Sequence, residues 1–368
     1  MKRRSKVVLK SQNKKADYLL ALVVFVLVAF GLLMVYDASV VESYQKFSDK
    51  YFYLKQQLMW VGLGLFSGLI FSKFDYKKLA KFASLGMIIA IILLILVLIP
   101  GVGSKVMGAK RWINIAGFSL QPAELTKLVF VLYLAAWLTN QRRFLSFLMI
   151  SGLILGLIIL EPDLGTAVVI ITSGFLVYFA AGAPLFSLGI LGILGILSAL
   201  TLIWFSPYRR KRLLTFFDPA SDPLGASYHI RQIIIAIGSG GLFGLGLGRS
   251  RQKYEYLPAA TTDSIFAVVA EETGFFGSLL LVLVFLFLIW RGILIAKTTP
   301  DRFGQLLAVG IISWIGVQAF INLAAMVALV PLTGVPLPFI SYGGSSMVTS
   351  LSGIGILLNI SKNRVERK

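Results

Sequence analysis

Long apolar runs alternate with short polar ones along almost the whole chain. A helix needs about 20 consecutive apolar residues to cross a hydrocarbon core roughly 30 Å thick. On that measure the pattern predicts ten spanning helices, at 18–37, 54–72, 82–100, 122–139, 145–160, 164–183, 185–206, 264–290, 303–330 and 340–360. Only Glu161–Asp163 separates the fifth run from the sixth, and Pro184 marks the next junction. One polar interruption is long. It runs from Arg209 to Thr273, opens with the cations Arg209, Arg210, Lys211 and Arg212, and meets the next apolar run at Asp263. An acid where water meets hydrocarbon is costly and marks a functional site by default. The expected architecture is an all-α integral membrane protein of about ten transmembrane helices, with a large extracytoplasmic loop, about 207–263, between helices 7 and 8. One transmembrane domain, 17–362, is expected between a basic tail, 1–16, and a short tail, 363–368.

Composition agrees with the pattern. Hydrophobic residues make up 57% of the chain, charged residues 14%, and mean hydropathy is +0.86, whereas a soluble domain carries about a quarter charged residues. The formal charge of +19 lies in short runs between apolar segments, where it sets membrane orientation and meets anionic lipid heads rather than nucleic acid. With the N-terminus inside, the cytoplasmic tails and short loops hold 20 Lys and Arg, and the opposite short loops hold six. Both termini are therefore expected in the cytoplasm. The first apolar run is long enough to span and no small-x-small cleavage site follows, so an uncleaved first helix is expected. No cysteine and one histidine exclude a disulfide framework, a Cys site and a His-cluster metal site. Small-residue spacings at Gly64–Gly68, Gly152–Gly156 and Gly189–Gly192–Gly195 predict close helix approach. No internal repeat is evident.

The candidate chemistry lies between the spans. Pro122 suits a first helical turn, which puts Glu124 and Lys127 one turn apart, able to pair either for packing or for function; Trp112 just before them suits an interfacial anchor. In Glu161-Pro162-Asp163-Leu164-Gly165-Thr166, Asp163 reads as a helix cap. Asp218-Pro219 and Asp222-Pro223 are turn signals, and His229–Ile237 predicts a short helix in the interface. His229 itself reads as a hydrogen-bonded loop residue. The glycine-rich stretch 238–248 matches neither a phosphate-loop nor a dinucleotide pattern. Asp263 reads as an N-cap or as a catalytic acid; two turns on, Glu271 and Glu272 read as a polar seam or as partners of Lys127. Pro331, Pro336 and Pro338 exclude a regular helix, so 331–346 could wall a groove on the side of Asp263.

Taken in order, several pieces resemble the SEDS family (shape, elongation, division and sporulation), the FtsW/RodA/SpoVE membrane glycosyltransferases. They are Gly108-Ala-Lys-Arg-Trp-Ile113, Gln121-Pro-Ala-Glu124, Glu161 to Thr166, Ile235 to Gly244, Leu257-Pro258 to Glu272, and Ser341-Tyr342-Gly343-Gly344-Ser345. Arg210 to Pro219 and Arg249 to Lys253 look more like the division branch, FtsW, than the elongation branch, RodA. The resemblance implies a peptidoglycan glycosyltransferase that polymerises lipid II, a disaccharide-pentapeptide on undecaprenyl pyrophosphate, with Asp263 as the essential carboxylate. The substrate-contacting set it implies is Arg111, Glu124, Lys127, Asp163, Arg212, His229, Arg231, Glu272, Ser341 and Ser345. Expected partners are a class B penicillin-binding protein transpeptidase and other division or elongation proteins. A divalent cation is compatible with the chemistry, although the sequence shows no cage for one. Where the family often reads Pro-Glu-Ala-His-Thr-Asp, this chain reads Pro258-Ala-Ala-Thr-Thr-Asp263, losing a carboxylate and an imidazole, and Ala123 replaces a frequent Ser. Two rival readings remain: a lipid II flippase with Glu124, Lys127, Glu271 and Glu272 along a groove, and a scaffold that only recruits the transpeptidase.

Overall fold

The computed structural model describes residues 15–106, 109–115, 118–140, 143–218, 225, 227–254 and 256–364. The tail cations before Lys15, Gly108, Arg142, the Pro219 and Asp222-Pro223 turn signals, and Arg367 and Lys368 lie outside them.

The apolar runs fold into helices α1 (Tyr18–Phe47), α2 (Phe52–Lys73), α3 (Tyr76–Leu98), α4 (Pro122–Asn140), α5 (Phe144–Leu160), α6 (Leu164–Ala180), α7 (Leu185–Trp204), α10 (Ile265–Thr298), α11 (Arg302–Met326) and α12 (Gly344–Ser361). The polar interruption adds α8 (Pro207–Phe217) and α9 (Tyr228–Gly240). Of these, α1, α3, α4, α7, α10, α11 and α12 are long and apolar enough to cross a membrane; α5 and α6 are apolar but only 17 residues each. The chain is a multi-pass helical membrane protein. It departs from a purely helical expectation at 103–120, where β1 (Gly103–Val106), β2 (Ala109–Ile115) and β3 (Phe118–Leu120) form an antiparallel meander. Ala109–Ile115 is too short and too mixed in polarity to register among the long apolar runs.

Polar residues fix how the helices start and meet. Asp17 caps α1 through Leu20 N at 3.1 Å, and its other carboxylate oxygen receives Arg291 Nη2 at 2.6 Å and Arg364. The Asp17 amide donates to Ser361 Oγ at 3.0 Å. One acid thus gathers the start of α1 and the ends of α10 and α12 at one end of the bundle. The glycine spacings divide into two classes. A Cβ on Gly64 would meet Leu351 Cδ1 at 2.7 Å, and one on Gly68 the Leu351 carbonyl oxygen at 2.8 Å, so α2 lies tightly on α12. Gly152, Gly156, Gly189, Gly192 and Gly195 face open space, because α5 and α7 turn those faces away from the bundle. The expectation of close approach fails at those five.

The polar interruption is not a plain outer loop. α9 lies beside α10, with Ile230, Ile233, Ala236 and Gly240 buried, so it packs on the bundle. α10 breaks at Gly274 (φ 68°, ψ −164°). The chain returning from α9 bonds into that break: Phe275 N donates to Gly241 O (2.9 Å), Leu245 N to Glu271 O (3.0 Å) and Gly246 N to Glu272 O (3.0 Å). At 1.5 Å per residue the break lies about 15 Å along α10 from Asp263. Irregular backbone at that level needs its polar groups met inside the protein, and these bonds meet them.

Candidate active site

Asp263 sits immediately before α10, whose N-cap residue is Ser264; the N-cap reading of Asp263 is therefore replaced by that of a loop residue at the helix mouth. Its side chain is half-buried and accepts a hydrogen bond from Thr262 Oγ1 at 3.0 Å. The backbone around it is braced from several directions. Asn322 Nδ2 donates to the Asp263 carbonyl at 2.7 Å and to the Val335 carbonyl at 2.8 Å. Ser341 Oγ donates to Thr262 O at 2.5 Å, and Tyr342 N to Thr261 O at 2.9 Å. One turn up α11 from Asn322, Gln318 holds Pro336 O at 2.9 Å. The irregular segment 331–343 thus walls the acid, as its prolines predicted. Gly334 (φ 73°) stands closest: a Cβ there would lie 3.9 Å from Asp263 Oδ2, on backbone that an L side chain rarely adopts.

A group of cations is linked to this segment through His229. Lys211, Arg212, Thr215 and Phe216 of α8, His229 and Ile230 of α9, and Leu332 enclose a cavity of about 220 Å³. Arg212 Nη1 donates to Leu332 O at 2.9 Å. His229 Nε2 lies 2.7 Å from Ser264 Oγ. Burial holds the His229 ring below the usual imidazole range and Arg212 pushes the same way, while Asp263 and a hydrogen bond to the Pro258 carbonyl oppose them. Arg212, His229 and Asp263 therefore share one electrostatic environment.

The remaining expected residues fall into three other groups. Asp163 caps α6 through Thr166 N (3.1 Å) and receives Gln121 Nε2 (3.2 Å); Arg111 donates to the carbonyls of Glu161 (3.0 Å) and Pro162. Ser345 Oγ accepts from Gln121 N at 3.0 Å. This group touches the Asp263 wall indirectly, since Gly165 packs on Thr333 and Val335. In the second group, Glu124 and Lys127 form a buried pair at 2.7 Å, and Lys127 Nζ reaches Gln318 at 2.6 Å. They join the wall through Gln318 and Pro336. Glu272 belongs to the third, deeper group. It receives the amides of Gly248 (3.0 Å) and Ser250 (2.9 Å) and pairs with Lys253 at 3.4 Å, while Lys253 also meets Asp37 at 2.8 Å. Glu271 receives Arg251 N (3.0 Å) and Ser250 Oγ (2.5 Å). The glutamates thus pin the 248–253 turn instead of pairing with Lys127. Arg231 is exposed on α9. No three His, Cys, Asp or Glu are grouped to hold a metal ion among the described residues.

Sequence reasoning missed Gln318, Asn322, Gly334 and Lys253. The first two left a signal, two amides at i and i+4 in an otherwise apolar span, where polar side chains find interhelical partners.

A half-exposed acid at the mouth of a broken helix, walled by an irregular segment and linked through a histidine to cations, defines a multi-pass membrane protein with a site at one end of its bundle. The sequence model of the FtsW/RodA/SpoVE family, described as "Cell cycle protein", matches residues 17–366, and the chain belongs to that SEDS family. It is 41% identical to stage V sporulation protein E of Bacillus subtilis (strain 168), over 96% of this chain and 98% of the relative. It is 39% identical to a probable peptidoglycan glycosyltransferase FtsW of Trichlorobacter lovleyi, over 94% and 93%. Among solved structures, a chain from a peptidoglycan synthase complex that coordinates polymerization and crosslinking superposes with a TM-score of 0.78 at 28% identity, covering 94% of this chain and 97% of that one. The rod shape determining protein RodA of Thermus thermophilus superposes at 0.70 and 28%, covering 96% and 98%.

Proposed function

We propose that this chain is a peptidoglycan glycosyltransferase that polymerises lipid II at the outer face of the bacterial cytoplasmic membrane, in the division branch of its family, with Asp263 as general base. A sugar hydroxyl of one lipid-linked unit attacks the anomeric carbon of the other chain. The C–O bond to the pyrophosphate breaks with inversion, and Asp263 takes the hydroxyl proton. Such a base contributes about 10²–10⁴-fold. The leaving diphosphate needs positive charge rather than a proton, and Arg212 with Lys211 offers it across the cavity, a guanidinium being suited to bidentate phosphate contact. The observation that carries the reading is the half-exposed Asp263 carboxylate, its backbone braced by Asn322, Ser341 and Tyr342, next to Ser264, which bonds to the His229 that lines the cationic cavity. The named activities of the relatives support the same chemistry, and the synthase-complex neighbour supports a transpeptidase partner of the class B penicillin-binding type.

The test uses the full chain with that partner in sealed vesicles, lipid II supplied, and both glycan strands and lipid movement measured. Glycan strands are expected. Lipid movement without polymer identifies a flippase, and neither product identifies a scaffold. Septal collection of the tagged chain in growing cells is expected for the division role.

A further inference from the structure

His229 is the only histidine of the chain, and the fold delivers it to the segment that bears the proposed base. Its Nε2 faces Ser264 Oγ at 2.7 Å, and Ser264 directly follows Asp263. Ser264 Oγ makes no capping bond to α10, so its hydroxyl is available to the ring. A neutral imidazole suits this contact, its Nε2 accepting from the hydroxyl.

We propose that His229 is a positioning residue for the transfer reaction, stapling α9 to Ser264 so that Asp263 is presented to the acceptor hydroxyl. The proposal rests on Asp263 acting as the base. The charged groups facing the ring are Arg212 and Lys211 on α8 and Asp263 ahead of α10. Burial and Arg212 favour the neutral ring. Protonation turns Nε2 into a donor, reverses the bond with Ser264, whose hydroxyl can also accept, and sets a cation beside the base that weakens its pull on a proton.

The test measures steady-state polymerisation by the full chain with its transpeptidase partner, together with amide hydrogen exchange over 258–264. In His229→Ala, kcat should fall about tenfold, the worth of one hydrogen bond, with KM little changed and exchange in 258–264 faster. His229→Gln keeps a donor and an acceptor without titrating; it should recover most of kcat and move the acid limb of the kcat profile to lower pH. Ser264→Ala should repeat the exchange change if His229→Ala does not fold. Unchanged exchange in the variants, an unmoved acid limb in His229→Gln, or a rise in KM alone overturns the proposal. Absence of polymer from the unsubstituted chain overturns the glycosyltransferase reading instead, and the exchange measurement still decides whether the staple exists.

Discussion

Asp263 and Glu272 stand at two points of the same α10 region, nine residues apart, and their surroundings are opposite. Asp263 is half-buried and its carboxylate accepts one side-chain hydrogen bond, from its neighbour Thr262. Glu272 is 1% exposed and takes two backbone amides and the Lys253 ammonium. A carboxylate saturated by donors is held in place by them and has little capacity left for chemistry; one with open lone pairs can take a proton. The contrast separates a group that fixes the return loop from one that can react.

The two sites should fail differently. The largest effect is expected at the mouth of the helix: Asp263→Asn should lower polymerisation by about 10²–10⁴-fold, with the folded protein still present in the membrane. At the deeper site the loss should be one of stability. Glu272→Ala leaves Lys253 to Asp37 alone and frees two amides of the 248–253 turn, and removing one partner of a buried pair costs about 3–5 kcal/mol, read as a lower Tm in detergent. Glu161 tests an intermediate case, since it is fully buried like Glu272 yet neither carboxylate oxygen has a hydrogen-bond partner among the described residues. Burial, with Asp163 beside it, pushes its pKa from 4.5 up to about 8. Between those values the folded state keeps a proton that the unfolded state has lost, so stability falls as pH rises through the window. Glu161→Gln should flatten that fall when Tm is recorded from about pH 5 to 8. The smallest effects concern packing: Gly68→Ala should cost about 1–3 kcal/mol against the Leu351 carbonyl, and Gly192→Ala should change Tm by less than about 1 kcal/mol equivalent.

Much of this was legible in the sequence because a membrane penalises polar groups so strongly. The apolar runs located the helices, Pro122 and Asp163 marked helix starts, and the cost of an acid at the boundary drew attention to Asp263. Three things were not legible. The descent of 228–263 beside α10 depends on Gly274 adopting positive φ and exchanging hydrogen bonds with 241–246, a long-range pairing with no local period. The choice of Lys253 over Lys127 as partner for Glu272 is likewise a matter of tertiary placement. The glycine spacings on α5 and α7 have the same form as that on α2, and only the packing shows that α2 alone uses it: 83% of α12, against which α2 lies, is buried, compared with 6% of the most apolar stretch of α7.

The contrast between the two acids is tested most directly by measuring lipid II polymerisation and Tm on matched preparations of Asp263→Asn and Glu272→Gln, each with the transpeptidase partner. The account predicts polymerisation lowered by about 10²–10⁴-fold and an unchanged Tm for the first, and a lowered Tm with polymer in proportion to folded protein for the second. Polymer from Asp263→Asn at the rate of the unsubstituted chain would contradict it.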